Sequence, residues 1–342
     1  MTKTISTVII LSGLAAAAFG AESSLRVGAS RPDITPAPAE LPAPYQTAHD
    51  RIYVRTILLD DGNARAAIVV ADVPMIEASI FNSLAAQISR DAGCPLENVR
   101  LAISHAHNSI RVDTSGVGKN IPFSLAFNSK VKEAIGKSVG EAKARMQPAR
   151  AGFGRGRASI AVNRNQWVEK EQRYIVGADR TGTEPFDDTV AVVEFENLAA
   201  EPIAFLINYG IEPVVNNASR SEISGDVPGA VSRYVEERYF GKAVAAFTIG
   251  AAGNPIYSAG GGRSSPGRVP SSAHDILGAM ATMLGEEVLA VSDEIRSPSA
   301  GVSIRAALKT LRCRGKINDT TQPAQFLCLH PGFEIASLPR LP

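Results

Sequence analysis

Three cysteines in 342 residues are too few for a disulfide framework, and Cys94, Cys313 and Cys328 lack zinc-ribbon spacing. The formal charge nearly cancels at +1, so the chain offers neither a basic field for nucleic acid nor an acidic tail. Beyond the first 21 residues, no apolar run approaches the roughly 20 residues that a bilayer-crossing helix needs. Gly-x-Ser-x-Gly occurs once, as Gly136-Lys137-Ser138-Val139-Gly140, but inside a helical stretch and not at a strand-to-helix turn, which argues against an ordinary serine hydrolase. No internal repeat divides the chain, and no clear boundary splits it into two domains. What is present is ordinary for a globular protein: 45% apolar and 20% charged residues.

The N-terminus reads as a cleaved secretory signal over residues 1–21. Lys3 supplies the positive region, Val8–Ala18 the short apolar run, and Ala18-Phe19-Gly20-Ala21 the small residues for cleavage. This predicts a secreted or periplasmic protein with no transmembrane segment in the mature chain. In that compartment Cys313 and Cys328 could pair. Cys94, placed in a helix-to-strand turn, is expected to be buried.

The remaining pattern mixes strands and helices. Arg51–Leu59 alternates, Asp60-Asp61-Gly62-Asn63 signals a turn, and Ala64–Ala71 returns as an apolar strand, giving a hairpin. Ala78–Ala92 carries Ile80, Leu84 and Ile88 on one helical face, with Gly93 and Pro95 ending it. A second helix is predicted over Asn128–Gln147, closed by Pro148. A second hairpin joins Thr189–Phe195 to Pro202–Tyr209. Asp226–Tyr239 reads as a helix capped by Asp226, Ala243–Ile249 as a buried strand, and Ser272–Val291 as a last helix. The fold class is therefore α/β, a layered domain with mixed β-sheets flanked by helices over residues 22–311. Ile304–Leu311 could add a strand. Residues 312–342 read as an irregular tail outside the fold, as though the chain stops short of its natural core.

Chemistry concentrates after three strands. Val99–Ile103 leads into His105 and His107, which share one side of the chain if it stays extended. Loops beyond the carboxyl ends of strands are where open α/β sheets bind ligands. Glu212 stands just past the strand ending at Tyr209. Ser224 precedes a helix N-terminus, where it is either a cap or a nucleophile assisted by a base or metal.

Taken together, these stretches resemble the N-terminal domain of the neutral/alkaline, non-lysosomal ceramidase family. The resemblance runs from about Leu25 to about Leu311. It is carried by Gly28-Ala29-Ser30-Arg31-Pro32-Asp33-Ile34-Thr35-Pro36, Ile103-Ser104-His105-Ala106-His107-Asn108-Ser109, Asn163-Arg164, Ile223-Ser224-Gly225-Asp226 and Gly250-Ala251-Ala252-Gly253. It implies a zinc-dependent amidohydrolase acting on ceramide or a related lipid or small-molecule amide. It implies zinc on His105, catalysis by His107, Ser224 and Arg164, and substrate contacts from Asn163 and Asn216. The family's second zinc histidine falls at Glu212, a different but acceptable ligand. Its further zinc ligands, a Glu and a Tyr, and its C-terminal β-sandwich lie beyond the resemblance. The alternative expectation is thus a truncated, catalytically impaired member lacking part of the metal site.

Overall fold

Turn chemistry builds the first hairpin. In a computed structural model of the protein, the Asp60 carboxylate accepts the Gly62 N–H, Asp61 accepts those of Asn63 and Ala64, and Gly62 takes φ +84°. The structure describes residues 25–115, 120–176, 185–216, 221–257 and 272–307, together with strands at 310–311, 328–329 and 334–335. The expected signal segment, residues 1–21, and Cys313 lie outside the described residues.

In chain order the elements are β1 (Arg26–Ser30), β2 (Thr47–Ala48), β3 (Val54–Asp60), β4 (Arg65–Ala71), α1 (Ala78–Ala92), β5 (Val99–Ile103) and α2 (Ile121–Ala144). There follow β6 (Gln147–Arg157), β7 (Ala161–Asn163), β8 (Asn165–Val168), β9 (Arg173–Val176), β10 (Thr189–Asn197) and β11 (Pro202–Tyr209). Next are β12 (Glu222–Ile223), α3 (Asp226–Arg238), β13 (Val244–Ile249), β14 (Pro255–Tyr257) and α4 (Ala273–Asp293). Four two-residue strands close the list: β15 (Ile304–Arg305) pairs with β18 (Glu334–Ile335), and β16 (Thr310–Leu311) with β17 (Cys328–Leu329).

Eight strands form one mixed sheet in the order β13-β11-β10-β6-β1-β3-β4-β5. Its two ends are parallel pairs, β4 with β5 and β11 with β13, each joined through a crossover containing a helix, α1 and α3 respectively. The remaining pairs are antiparallel. Alternating side chains bury both faces. On β4, Ala67, Val69 and Ala71 pack with α1 and α2, whereas Ala66, Ile68 and Val70 join a central core with Phe195, Ala204, Val244 and Ala246 from the other half. On the far side Phe205, Ile207 and Phe247 pack with α3 and α4. Helices thus flank a folded double layer of strands. Burial on both sides explains why β4 and β13 read as near-continuous apolar runs.

The expected α/β layering stands, with local corrections. Helix α2 begins seven residues before the predicted Asn128, because Asn120 accepts the Phe123 N–H and Pro122 fits the first turn. It ends at Ala144, and Pro148 lies inside β6 instead of closing the helix. The predicted strand over Ile304–Leu311 is two short pieces. Asp226 is not the cap of α3; Gly225 holds that position and Asp226 is the first helical residue, with φ +50°. Cys94 is buried and unbridged, as expected.

Gly28, in the first of the motifs, lies against α2: a Cβ there would stand 2.0 Å from the Ala142 carbonyl oxygen. Gly140 on the same helix has nothing within 4 Å of an added Cβ. Urea denaturation is expected to show Gly28→Ala destabilised by about 1–3 kcal/mol and Gly140→Ala stabilised by about 0.5–1 kcal/mol. Equal effects would contradict the packing of α2 on β1.

Candidate metal centre

The His-x-His segment leaves β5 through a left-handed residue. His105 has φ +55°, so the two imidazoles do not converge by strand alternation as the extended reading predicts. They meet across the turn instead, edge to face at 84°, with Nε2 atoms 3.2 Å apart. Nδ1 of His105 lies 2.7 Å from the Pro74 carbonyl oxygen. Since a carbonyl only accepts, that contact places a proton on Nδ1, so Nε2 faces the cluster as a lone pair in the neutral ring and as an N–H toward Glu212 in the protonated one.

Glu212 arrives from the loop after β11. Its N–H donates to the Pro255 carbonyl at 2.7 Å, and the neighbouring Pro213 carbonyl accepts the His107 N–H at 3.2 Å. Its Oε1 lies 2.9 Å from Nε2 of His107 and 3.4 Å from Nε2 of His105. Glu212 is buried, while each imidazole is about a third exposed, so the triangle opens to solvent on the histidine side. Hydrogen bonds from His105 and then His107 hold the Glu212 carboxyl far below its ordinary range. The same Glu212 bond raises His105 above its ordinary 6.5, against the opposing effect of burial.

The other predicted site residues make no side-chain bond to this triangle among the described residues and connect to its loops through neighbouring residues. Ser224 is fully buried; its hydroxyl donates to Asp50 at 2.6 Å and accepts the Asp226 N–H at 2.9 Å. Its N–H donates to the carbonyl of Asn108, the residue after His107. The Asn108 amide in turn donates to the Asn216 and Glu222 carbonyls at 2.7 and 3.2 Å. Asn216 is fully buried, and neither end of its side-chain amide has a hydrogen-bond partner among the described residues. The Asn163 amide donates to the Pro185 carbonyl and accepts the Asn165 N–H. The Arg164 N–H donates to the Asn254 carbonyl, next to the proline that holds Glu212, and its Nε is buried without a partner among the described residues. Asp50, which also takes an ion pair from Arg233 at 3.1 Å, carried no motif and was missed by sequence reasoning.

Zinc–nitrogen bonds of about 2.0–2.1 Å in a tetrahedron separate ligands by about 3.3 Å. The three donor separations of 2.9, 3.2 and 3.4 Å match that edge length. The residues present therefore fit a divalent ion of the zinc type, with His107 as a third donor and one position left for solvent or substrate.

No family model matches the chain. Among solved structures, the neutral ceramidase from Pseudomonas aeruginosa is similar with a TM-score of 0.65 and 20% identity, over 84% of this chain and 48% of that one. A ceramidase complexed with C2 is similar with a TM-score of 0.65 and 18% identity, over 84% of this chain and 46% of the other. The chain has the fold seen in these ceramidases and spans about half their length.

Without metal, the His105–Glu212 pair gives a definite pH signature. The Glu212 contribution to stability is present above its ordinary 4.5 and is lost as pH falls through its lowered value. The His105 contribution is full below 6.5 and is lost as pH rises through its raised value. The Tm advantage of metal-free wild type over Glu212→Gln is expected to peak between about pH 4.5 and 6.5 and to shrink above that window. A difference that grows steadily toward pH 9 would contradict the pairing.

Proposed function

We propose that this chain is an exported, zinc-dependent amidohydrolase of ceramidase type, cleaving the N-acyl amide of ceramide or a related lipid amide. The observation that carries this reading is the donor triangle of His105, His107 and Glu212, set at ligand spacing in a ceramidase-like fold.

Two imidazoles and one carboxylate suit zinc better than magnesium or calcium, which prefer all-oxygen sites. Bound there, zinc would polarise the amide carbonyl and acidify a water. His105, oriented by the Pro74 carbonyl, and the buried Glu212 hold the ion, and His107 completes the set from the solvent side. This makes His107 a ligand instead of the acid–base group that the family resemblance implies. Arg164 binds the reacting amide in this reading, and Asn216, as enclosed as Ser224, would reach it only if the site opens. Both carry buried polar atoms without partners among the described residues, a state that costs about 1–3 kcal/mol per group until something meets it. Asn163 positions Arg164 by fixing the bend at residues 163–165.

Ser224 takes a supporting role. Its hydroxyl is enclosed and engaged with Asp50 and the Asp226 N–H, so it presents no free face to a carbonyl carbon. It holds the 222–226 segment against Asn108, and Asn108 follows a metal ligand.

Hydrolysis of a fluorescent N-acylsphingosine, read alongside the zinc content of the triangle, tests these roles. His105→Ala and Glu212→Gln should each lose this zinc and orders of magnitude in kcat/KM. Ser224→Ala should keep the metal and remain within about tenfold of wild type. A Ser224→Ala loss as deep as that of His105→Ala would restore the serine as nucleophile. Zinc-loaded wild type without turnover would leave a catalytically impaired binding domain.

A further inference from the structure

Five histidines occur in the chain, and four of them lie in two groups of the same make-up, two imidazoles and one glutamate. The first is the triangle described above. The second joins His49, Glu222 and His274, three segments far apart in sequence and absent from every motif. His274 Nε2 lies 2.7 Å from Glu222 Oε2, and the rings of His49 and His274 stack at 3.8 Å between centroids. One ligand atom from each of the three falls within 4.8 Å of the others.

Regular backbone structure fixes each donor. β2 and β12 pair in parallel, Thr47 with Glu222 and Ala48 with Ile223, and the His49 N–H extends the ladder to the Ile223 carbonyl at 2.9 Å. His274 is in the first turn of α4, whose start is fixed by the reciprocal Ser272–Asp275 cap: the Asp275 N–H donates to the serine hydroxyl at 3.1 Å and the Ser272 N–H to the Asp275 carboxylate at 3.0 Å. The cap engages Asp275, so Glu222 is the carboxylate left to the histidines.

We propose that His49, Glu222 and His274 form a second, more exposed site for a divalent ion of the zinc, nickel or copper class. Imidazole-rich sets favour these ions over magnesium and calcium. A lone pair lies in its ring plane, so one ring must tilt out of the stack to share the ion. Both imidazoles are exposed, which leaves room for that rotation. The site is therefore weaker than the preformed triangle. Its ion ties the start of α4 to the ladder that carries Asp50 and Ser224. The proposal does not rest on the hydrolytic reading, since a chain without turnover would bind the second ion equally.

Titration of the metal-free full-length protein with zinc chloride tests it, followed by calorimetry and by the ring nitrogen resonances of ¹⁵N-labelled histidine. Wild type should take up two equivalents, the second more weakly and with movement of the His49 and His274 signals. The double variant His49→Gln/His274→Gln should take up one, and Glu212→Gln should keep the weaker one. Glu222→Gln, a milder change, should weaken the second equivalent at least tenfold with an unchanged circular dichroism spectrum. His49 and His274 resonances that stay in place throughout the titration, or a double variant that takes up as many equivalents as wild type, would each overturn the proposal.

Discussion

A single buried guanidinium ties the two halves of this molecule together. Arg55, on β3, is almost fully enclosed and donates to Asp72 at 2.7 Å and to Glu236 of α3 at 2.8 and 3.3 Å. Burial opposes its charge, yet the two carboxylates outweigh that and keep it protonated; burial also pushes the Asp72 carboxyl up, against the pull of Arg55. A cluster of this kind adds little net stability over an apolar core, but removing one partner typically costs about 3–5 kcal/mol. Its larger effect is geometric. The Asp72 carbonyl accepts the Ser109 hydroxyl at 2.6 Å, anchoring the histidine loop. Glu236 accepts the Ala245 N–H of β13 at 3.1 Å and fixes α3, whose first residue, Asp226, accepts the Asn216 N–H of the Glu212 loop at 2.9 Å. Both loops of the donor triangle are thus suspended from one charge cluster.

That suspension allows an unusual backbone to persist at the site. A histidine at positive φ costs on the order of 1–3 kcal/mol, and His105 keeps it because its neighbours are held on both sides. The Ser104 N–H donates to the Ala71 carbonyl and the His107 N–H to the Pro213 carbonyl. The left-handed turn brings the two Nε2 atoms to 3.2 Å, which is ligand spacing. Asn108 then links the histidine loop to residues 216, 222 and 224, so the donor triangle, the orphaned Asn216 amide and the Ser224–Asp50 pair belong to one framework.

Much of this framework was legible in the sequence. Helix α1 and strand β5 run between their predicted residues, because the apolar period and Gly93 mark them plainly. The His-x-His pair and Glu212 were legible as chemistry at strand ends. The start of α2 was not, since its first turn is polar and proline-bearing and so reads as loop. Asp226 looked like a helix cap, but its carboxylate reaches back to the Val215 and Asn216 N–H groups, a tertiary contact that propensity cannot foresee. Asp50, His49 and His274 were illegible for the same reason. Their partners lie 174 residues away for Asp50 and 52 for His274, and no local spacing encodes such pairs.

The central claim is that His105, His107 and Glu212 share one ion. Anomalous diffraction collected on both sides of the zinc absorption edge, from crystals of zinc-loaded protein, tests it most directly. A difference peak about 2 Å from Nε2 of His105, Nε2 of His107 and Oε1 of Glu212 is the predicted result. Fully loaded crystals with no peak inside that triangle, the His105–Glu212 contact being intact, would contradict it.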